Sequence, residues 1–262
     1  MSTKKRDKSD NAGETMMLRQ NLKQLRLPTI AAEHEKLARE AATQDQSYGQ
    51  YLLQLTELEV AARSSNALRA RIAQAQFPVI KELDGFDFTA VPSLNKRQVL
   101  ELTQPAWLEA KENACFIGSA GTGKTHLATA IGLAVCRLGK RVRFHTAAQL
   151  VNQLEEAQKQ YQLERLLTKL EKVDLLVIDE LGYLSFSRAG AELLFQVIAE
   201  RYERSSTLVT TNLPFGEWAQ IFQGERMTAA LLDRLTHRCH ILEMNATSYR
   251  FKESTQRKQK TN

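Results

Sequence analysis

Residues 118–125 read Gly118-Ser119-Ala120-Gly121-Thr122-Gly123-Lys124-Thr125, which fits the Gly-x-x-x-x-Gly-Lys-Ser/Thr pattern of a phosphate-binding loop. At ordinary residue frequencies the pattern arises by chance roughly once per hundred chains of this size. Its flanks narrow the reading further. Cys115, Phe116 and Ile117 form a short apolar strand running into the loop, and beyond Thr125 the apolar residues Leu127, Ala128, Ile131, Ala134, Val135 and Leu138 recur at helical spacing. Strand, glycine loop and helix in that order aim successive backbone N–H groups and the positive end of a helix dipole at one anion. Three glycines let the backbone wrap closely, with no Cβ in the way. The expected ligand is ATP with Mg²⁺, Lys124 reaching the β and γ phosphates and the Thr125 hydroxyl ligating the metal. A glycine turn before a helix with no ligand is the plainer alternative.

Downstream, Arg141 to His145 alternates as a second strand, and Thr146 is suited to cap the helix that follows. Two helical stretches, Ala147 to Tyr161 and Leu163 to Glu171, lead to the run Leu175-Leu176-Val177-Ile178-Asp179-Glu180. A continuous apolar run ending in carboxylates reads as a strand buried on both faces of a parallel sheet, its acids in the crevice where ligands of such sheets bind. Asp179 is then the expected Mg²⁺-organising acid and Glu180 the group that polarises an attacking water, which makes hydrolysis the expected reaction. Taken alone, the pair also suits a helix N-terminus. A helix over Ala189 to Arg204 precedes a fourth strand, Thr207 to Thr211, which ends at Asn212. An amide at that strand tip can bond the water or the γ-phosphate, although Asn also commonly starts loops. Leu231, Leu232, Asp233, Arg234 and Leu235 lie on a further helix, and Cys239 to Leu242 is a fifth strand. Twenty residues follow Leu242, so no full C-terminal lid domain is expected.

Upstream of the loop, the first eighty residues show no strand-like alternation and read as helices. Thr15 to Arg26 places Met17, Leu18, Leu22 and Leu25 at helical spacing, Pro28 and Thr29 open a second helix, and Ser47 with Gln50 forms a possible capping box for a third. That third helix carries Tyr48, Tyr51, Leu52, Leu55, Leu58 and Ala62 on one side, expected to be core, with Arg63, Arg69 and Arg71 off the stripe. It runs to about Ala75, and Pro78 stops it. The expected architecture is an α/β P-loop NTPase core with a five-stranded parallel sheet flanked by helices, preceded by a small all-helical domain. The expected domains are residues 1–83 (helical, with a basic disordered start), 84–247 (the nucleotide-binding core) and 248–262 (a basic tail).

The chain has 262 residues, 43% of them hydrophobic and 25% charged, a composition suited to one ordinary core and a smaller appendage. No stretch approaches the ~18 apolar residues a membrane span needs, and no apolar run follows Lys4, Lys5, Arg6 and Lys8, so a cytoplasmic protein is expected. Cys115, Cys136 and Cys239 have no metal-ligand spacing and suit a reducing compartment as core filler. A net charge of +6, with basic residues crowded at both termini, favours a polyanionic partner.

The ordered set of motifs carries a family resemblance over nearly the whole chain. It comprises Gly118 to Thr125 with His126 and Leu127; Ile178 to Tyr183; Arg201, Tyr202 and Glu203; Thr211 to Pro214 with Trp218; Leu232 to Leu235; and Ser248, Tyr249 and Arg250. Together these resemble the IstB-type ATPases, helper proteins of insertion-sequence transposition within the AAA+ class, close to the DnaC-type helicase loaders. The resemblance implies an AAA+ core, ATP contacts extending to His126, Asn212 as a sensor of the γ-phosphate, and Arg234 as an arginine finger offered to a neighbouring subunit. It also implies Arg250 as a second sensing arginine, and an extra helical element on which Lys159, Arg165 or Lys169 faces DNA. Asp233 with Arg234 also reads as a helix surface pair, and Arg250 as a tail charge. Ser119 and Ala120 depart from the family, where many relatives have prolines; loop stiffness rather than chemistry should change. The implied partners are double-stranded DNA, further copies of the chain in an ATP-dependent oligomer, and a transposase of the same element. A replicative helicase loader, a small-molecule kinase and a non-hydrolysing ATP-gated scaffold are the rival readings.

Overall fold

The computed structural model describes residues 8–183, 185–246 and 249. They fall into two compact units, one up to Arg69 and one from Ala70 onward.

In the first unit α1 (Lys8–Gln24) and α2 (Pro28–Thr43) are followed by α3 (Tyr48–Ala75), whose last turns extend into the second unit. Pro28 stands at the first turn of α2, where a missing N–H costs nothing. Ser47 and Gln50 form the reciprocal cap: the Gln50 N–H donates to Ser47 Oγ at 3.3 Å, and the Ser47 N–H to Gln50 Oε1 at 2.9 Å. The apolar stripe expected on α3 is corrected here. Tyr48 is 94% exposed, and Leu52 and Leu58 are exposed with it, whereas Leu55 and the carboxylate of Glu59 are buried. Leu55 packs with Leu22, Ile30 and Tyr51 in a small core. So small a core covers only a narrow strip of a long helix, and its edge is polar because Glu59 Oε2 accepts the N–H groups of Thr29 and Ile30 at 2.8 and 3.2 Å. Glu59 thereby caps α2 from across the unit, where the N-cap residue itself, Leu27, has no side chain that can.

The second unit holds a five-stranded, wholly parallel sheet in the order β2 (Val142–Thr146), β3 (Leu175–Leu181), β4 (Ser206–Thr211), β1 (Asn113–Ile117), β5 (Cys239–Glu243). The expected five-stranded parallel sheet flanked by helices is therefore present. Its inner strands are buried on both faces, β1 and the first part of β3 with apolar residues and β4 with four hydroxyl residues around Leu208 and Val209. Cys115, Leu176, Ile178 and Val209 face a core built with α7 (Ala147–Lys159), α8 (Leu163–Glu171), α9 (Arg188–Arg201), α10 (Ala219–Phe222) and α11 (Glu225–Thr236). The alternate residues Phe116, Leu175, Val177 and Leu208 point to the other face, which α6 (Lys124–Arg137) covers. Thr146 ends β2 and caps α7 in a capping box with Gln149. Between α3 and β1 the chain makes two 3₁₀ turns, at Leu83–Gly85 and Phe88–Ala90, and then α4 (Lys96–Glu101) and α5 (Ala106–Glu109).

Candidate active site

The loop leaves β1, the fourth strand across the sheet, between β4 and the edge strand β5. Gly121 and Gly123 adopt φ of +80° and +92°, conformations that favour glycine, and α6 starts at Lys124 directly after. Gly118, at φ +155°, is closed in by the chain leaving β5: a Cβ there would lie 2.1 Å from the Met244 carbonyl oxygen. Gly123 is covered on its outer side by Phe86, whose ring would be 2.7 Å from an added Cβ. The crest is tied down by the Tyr249 N–H, which donates to the Gly121 carbonyl at 3.0 Å. Lys124 Nζ lies over the loop, donating to the carbonyls of Gly118 and Ser119 at 2.7 Å each. Thr122 donates to Ser119 O at 2.9 Å, and Ser119 and Ala120 are exposed at the turn.

β3 brings its acids to this loop. Asp179, 2% exposed, accepts the Thr125 hydroxyl at 2.9 and 3.1 Å on its two oxygens and the Thr210 hydroxyl at 2.5 Å. Burial raises the Asp179 pKa above the ordinary carboxylate value, against the lowering effects of Thr210, Thr125 and the Lys124 charge. A hydroxyl and a carboxylate side by side are hard oxygen donors that fit a Mg²⁺ held partly by phosphate and water. Among the described residues no group of three or more His, Cys, Asp or Glu could hold a metal by itself, so protein ligands at this site would be Thr125 and Asp179. Glu180 behaves differently from its neighbour. It is exposed and sits at φ +59°, because β3 carries one extra residue there: Ile178 pairs with Val209 and Leu181 with Thr211. Such a bulge re-aims the side chain it carries. Strand β3 therefore runs past both acids to Leu181 instead of ending at them, and β4 supplies Thr210 beneath them. Sequence reading missed Thr210; a threonine inside a strand carries no signal beyond ordinary strand preference.

The remaining expected site residues lie as follows. Asn212 is exposed on the residue after β4. His126 turns toward the segment before α4, its Nε2 2.9 Å from the Glu82 carbonyl and its ring 5.4 Å edge-to-face from Phe86. Arg234 is half-buried on α11, donating to Ala230 O at 3.1 Å with its guanidinium 5.2 Å from the Phe195 ring of α9. Arg234 thus has its contacts on the α9 side, with no ion pair to Asp233 or any other acid among the described residues. Lys159, Arg165 and Lys169 are exposed on α7 and α8. Arg250 lies outside the described residues, as do Ser248, residues 251–262 and the basic residues Lys4, Lys5 and Arg6. Two of the three arginines noted on α3 serve the fold: Arg63 pairs with Glu59 at 2.9 Å, and Arg71 donates to Cys136 O at 3.0 Å. A groove of 430 Å³ between α8 and α9, lined by Leu163, Leu167, Glu171 and Glu200 among others, has no glycine loop and stands apart from this chemistry.

The model of the IstB-like ATP binding proteins matches residues 20–257, nearly the whole chain. The chain belongs to the IstB-like family. Among its relatives in that family, the ATP-binding protein of insertion sequence IS5376 from Geobacillus stearothermophilus is 39% identical over 236 residues, covering 90% of this chain and 94% of its own. The insertion sequence IS21 ATP-binding protein of Pseudomonas aeruginosa is 35% identical over 232 residues, covering 88% of each. Among solved structures, AMPPCP-bound DnaA from Aquifex aeolicus superposes with a TM-score of 0.52 at 21% identity, over 64% of this chain and 51% of DnaA. DnaI does so with a TM-score of 0.52 at 18% identity, over 64% of this chain and 89% of DnaI. At such identities the likeness is one of fold, and it is the AAA+ fold. This IstB-like chain thus carries its glycine loop and its β3 acids on a sheet of that fold.

Proposed function

We propose that this IstB-like chain binds ATP on the Gly118–Thr125 loop and hydrolyses it to ADP and phosphate. The observation that carries the reading is the contact of Thr125 with Asp179, which joins the loop to the acid of β3. Bound Mg²⁺ would neutralise charge developing on the phosphates. The residues do the rest: loop N–H groups and Lys124 hold the phosphates, Glu180 accepts a proton from the attacking water, and Asn212 orients that water. The relatives are named for ATP and for insertion sequences, which supports a role in transposition.

In that role the chain assembles with copies of itself on double-stranded DNA and helps a transposase of the same element select or engage its target. The division of labour follows the expected segments: a helical domain over 1–83, the ATPase over 84–247 and a basic tail over 248–262. A net charge of +6 favours the DNA backbone as partner. Arg234, whose own-chain contacts face α9, would complete the ATP site of the next copy, with Arg250 sensing the nucleotide from within. The kinase rival would need phosphate on an acceptor, and the scaffold rival would show no turnover. Both are separated by one assay: Glu180→Gln should bind ATP as the parent does and release phosphate at least ~100-fold more slowly. Unchanged turnover in that variant would remove Glu180 from the mechanism.

A further inference from the structure

We propose that Thr210 is the positioning residue of this site, the side chain that builds the bulge under Asp179 and Glu180 and so decides where both carboxylates point; the catalytic part of this inference rests on the ATPase reading above. In a regular parallel ladder the N–H groups of an inner strand such as β3 turn alternately to its two neighbours, and each one turned to β4 would find a carbonyl there. The extra residue between Ile178 and Leu181 breaks that register, so that Thr210 alone lies opposite two residues of β3. At this bulge the Glu180 N–H donates to a side chain of β4, Thr210 Oγ1, at 3.0 Å. The same hydroxyl gives its one proton to Asp179 Oδ1 at 2.5 Å.

Both capacities of the hydroxyl are thus used, in a strand buried along its whole length, where an unmade bond is costly. One bond fixes the Asp179 carboxylate so that its oxygens also meet the Thr125 hydroxyl. The other holds Glu180 at φ +59°, a backbone state that a glutamate rarely adopts unaided and that turns its side chain out of the buried sheet. Asn212 comes two residues later on the same chain and is exposed, so it is free to face the reacting groups while Thr210 works from beneath. Valine at this position would keep the branched shape and the strand preference and lose both bonds. Relieved of its anchor, β3 could return to regular pairing, which would swing Glu180 away.

Thr210→Val, Thr210→Ser and the combined Thr210→Val, Glu180→Gln chain test this, with binding of a non-hydrolysable ATP analogue, kcat and KM, and amide exchange over residues 176–183 as readouts. The expected results are analogue affinity and KM within ~3-fold of the parent for Thr210→Val, kcat lower by at least ~30-fold, and recovery to within ~3-fold in Thr210→Ser. The combined variant should lose less than the product of the two single losses, since part of what the threonine does passes through the glutamate. Exchange at the Glu180 amide should quicken at least ~10-fold with valine and stay slow with serine. Parental kcat with valine, serine no better than valine, losses that multiply in the combined chain, or unchanged exchange would each overturn the assignment. Should the parent chain release no phosphate at all, the ATPase reading fails by itself, and the exchange measurement still decides what Thr210 holds. If valine prevents folding, Thr210→Ala runs the same comparison.

Discussion

Thr125 and Asp179 are fifty-four positions apart in the chain and 2.9 Å apart in space, and both were legible in the sequence for chemical reasons. A phosphate loop needs glycine, lysine and hydroxyl at fixed spacing, and a buried strand that ends in acids needs a use for them. Thr210 was not legible, because its role comes from a register shift that no local pattern encodes. His145 illustrates a second hidden property: it lies buried on β2, where desolvation, helped by the Arg143 charge, pushes its pKa from 6.5 down to about 4. The folded chain therefore refuses a proton that the unfolded chain takes. Its contribution to stability is whole above about pH 6.5 and drains away as pH falls toward about 4. Between pH 7 and pH 5 the parent should lose about 2 kcal/mol through this group. Urea titrations at the two pH values check this, and His145→Gln should show a smaller pH-dependent loss; an equal loss in both chains would clear His145 of the effect.

At the scale of elements, the sequence revealed those that repeat a period long enough to read. The five strands and the helices α3, α7, α8 and α9 were located to within a few residues, α1 begins at Lys8, well before the expected Thr15, and α4, α5 and α10, of six, four and four residues, are too short to show a period. The α3 stripe misled because spacing says which residues share a face and not whether anything covers it. Motifs, too, can be structural. Arg201, 2% exposed at the end of α9, donates to the carbonyls of Leu170, Val173 and Ser206 and to the Thr207 hydroxyl. Burial pulls its pKa down to about 10, with Asp174 opposing, so it remains charged at neutral pH. One guanidinium therefore ties the end of α8 and the start of β3 to α9 and β4. Arg201→Met should cost ~3 kcal/mol or more, because it strands several buried carbonyls, and Arg201→Lys should recover little, lacking the planar fork. Chemical denaturation measures both; a loss under ~1 kcal/mol in the methionine variant would show that the carbonyls find other partners.

For the whole molecule, charge and assembly carry the account. DNA held by phosphate contacts implies an affinity that falls steeply with salt, varies little with sequence and rises when ATP is added. A flat log-log salt plot with duplex DNA would take DNA out of the proposal. Assembly is the deeper commitment, because Arg234 has its contacts with Ala230 and Phe195 on its own chain, while the loop and the β3 acids form their own cluster. If the arginine of one copy serves the ATP of the next, two disabled chains can repair each other. The decisive measurement is phosphate release from Lys124→Ala, from Arg234→Ala, and from an equal mixture of the two, with Mg²⁺, ATP and duplex DNA present. Each variant alone should be nearly inactive, and the mixture should recover about a quarter of parental turnover, since half the copies supply an intact loop and half of their neighbours an intact arginine. A mixture no more active than its components, or Arg234→Ala turning over at the parental rate, would contradict the shared site.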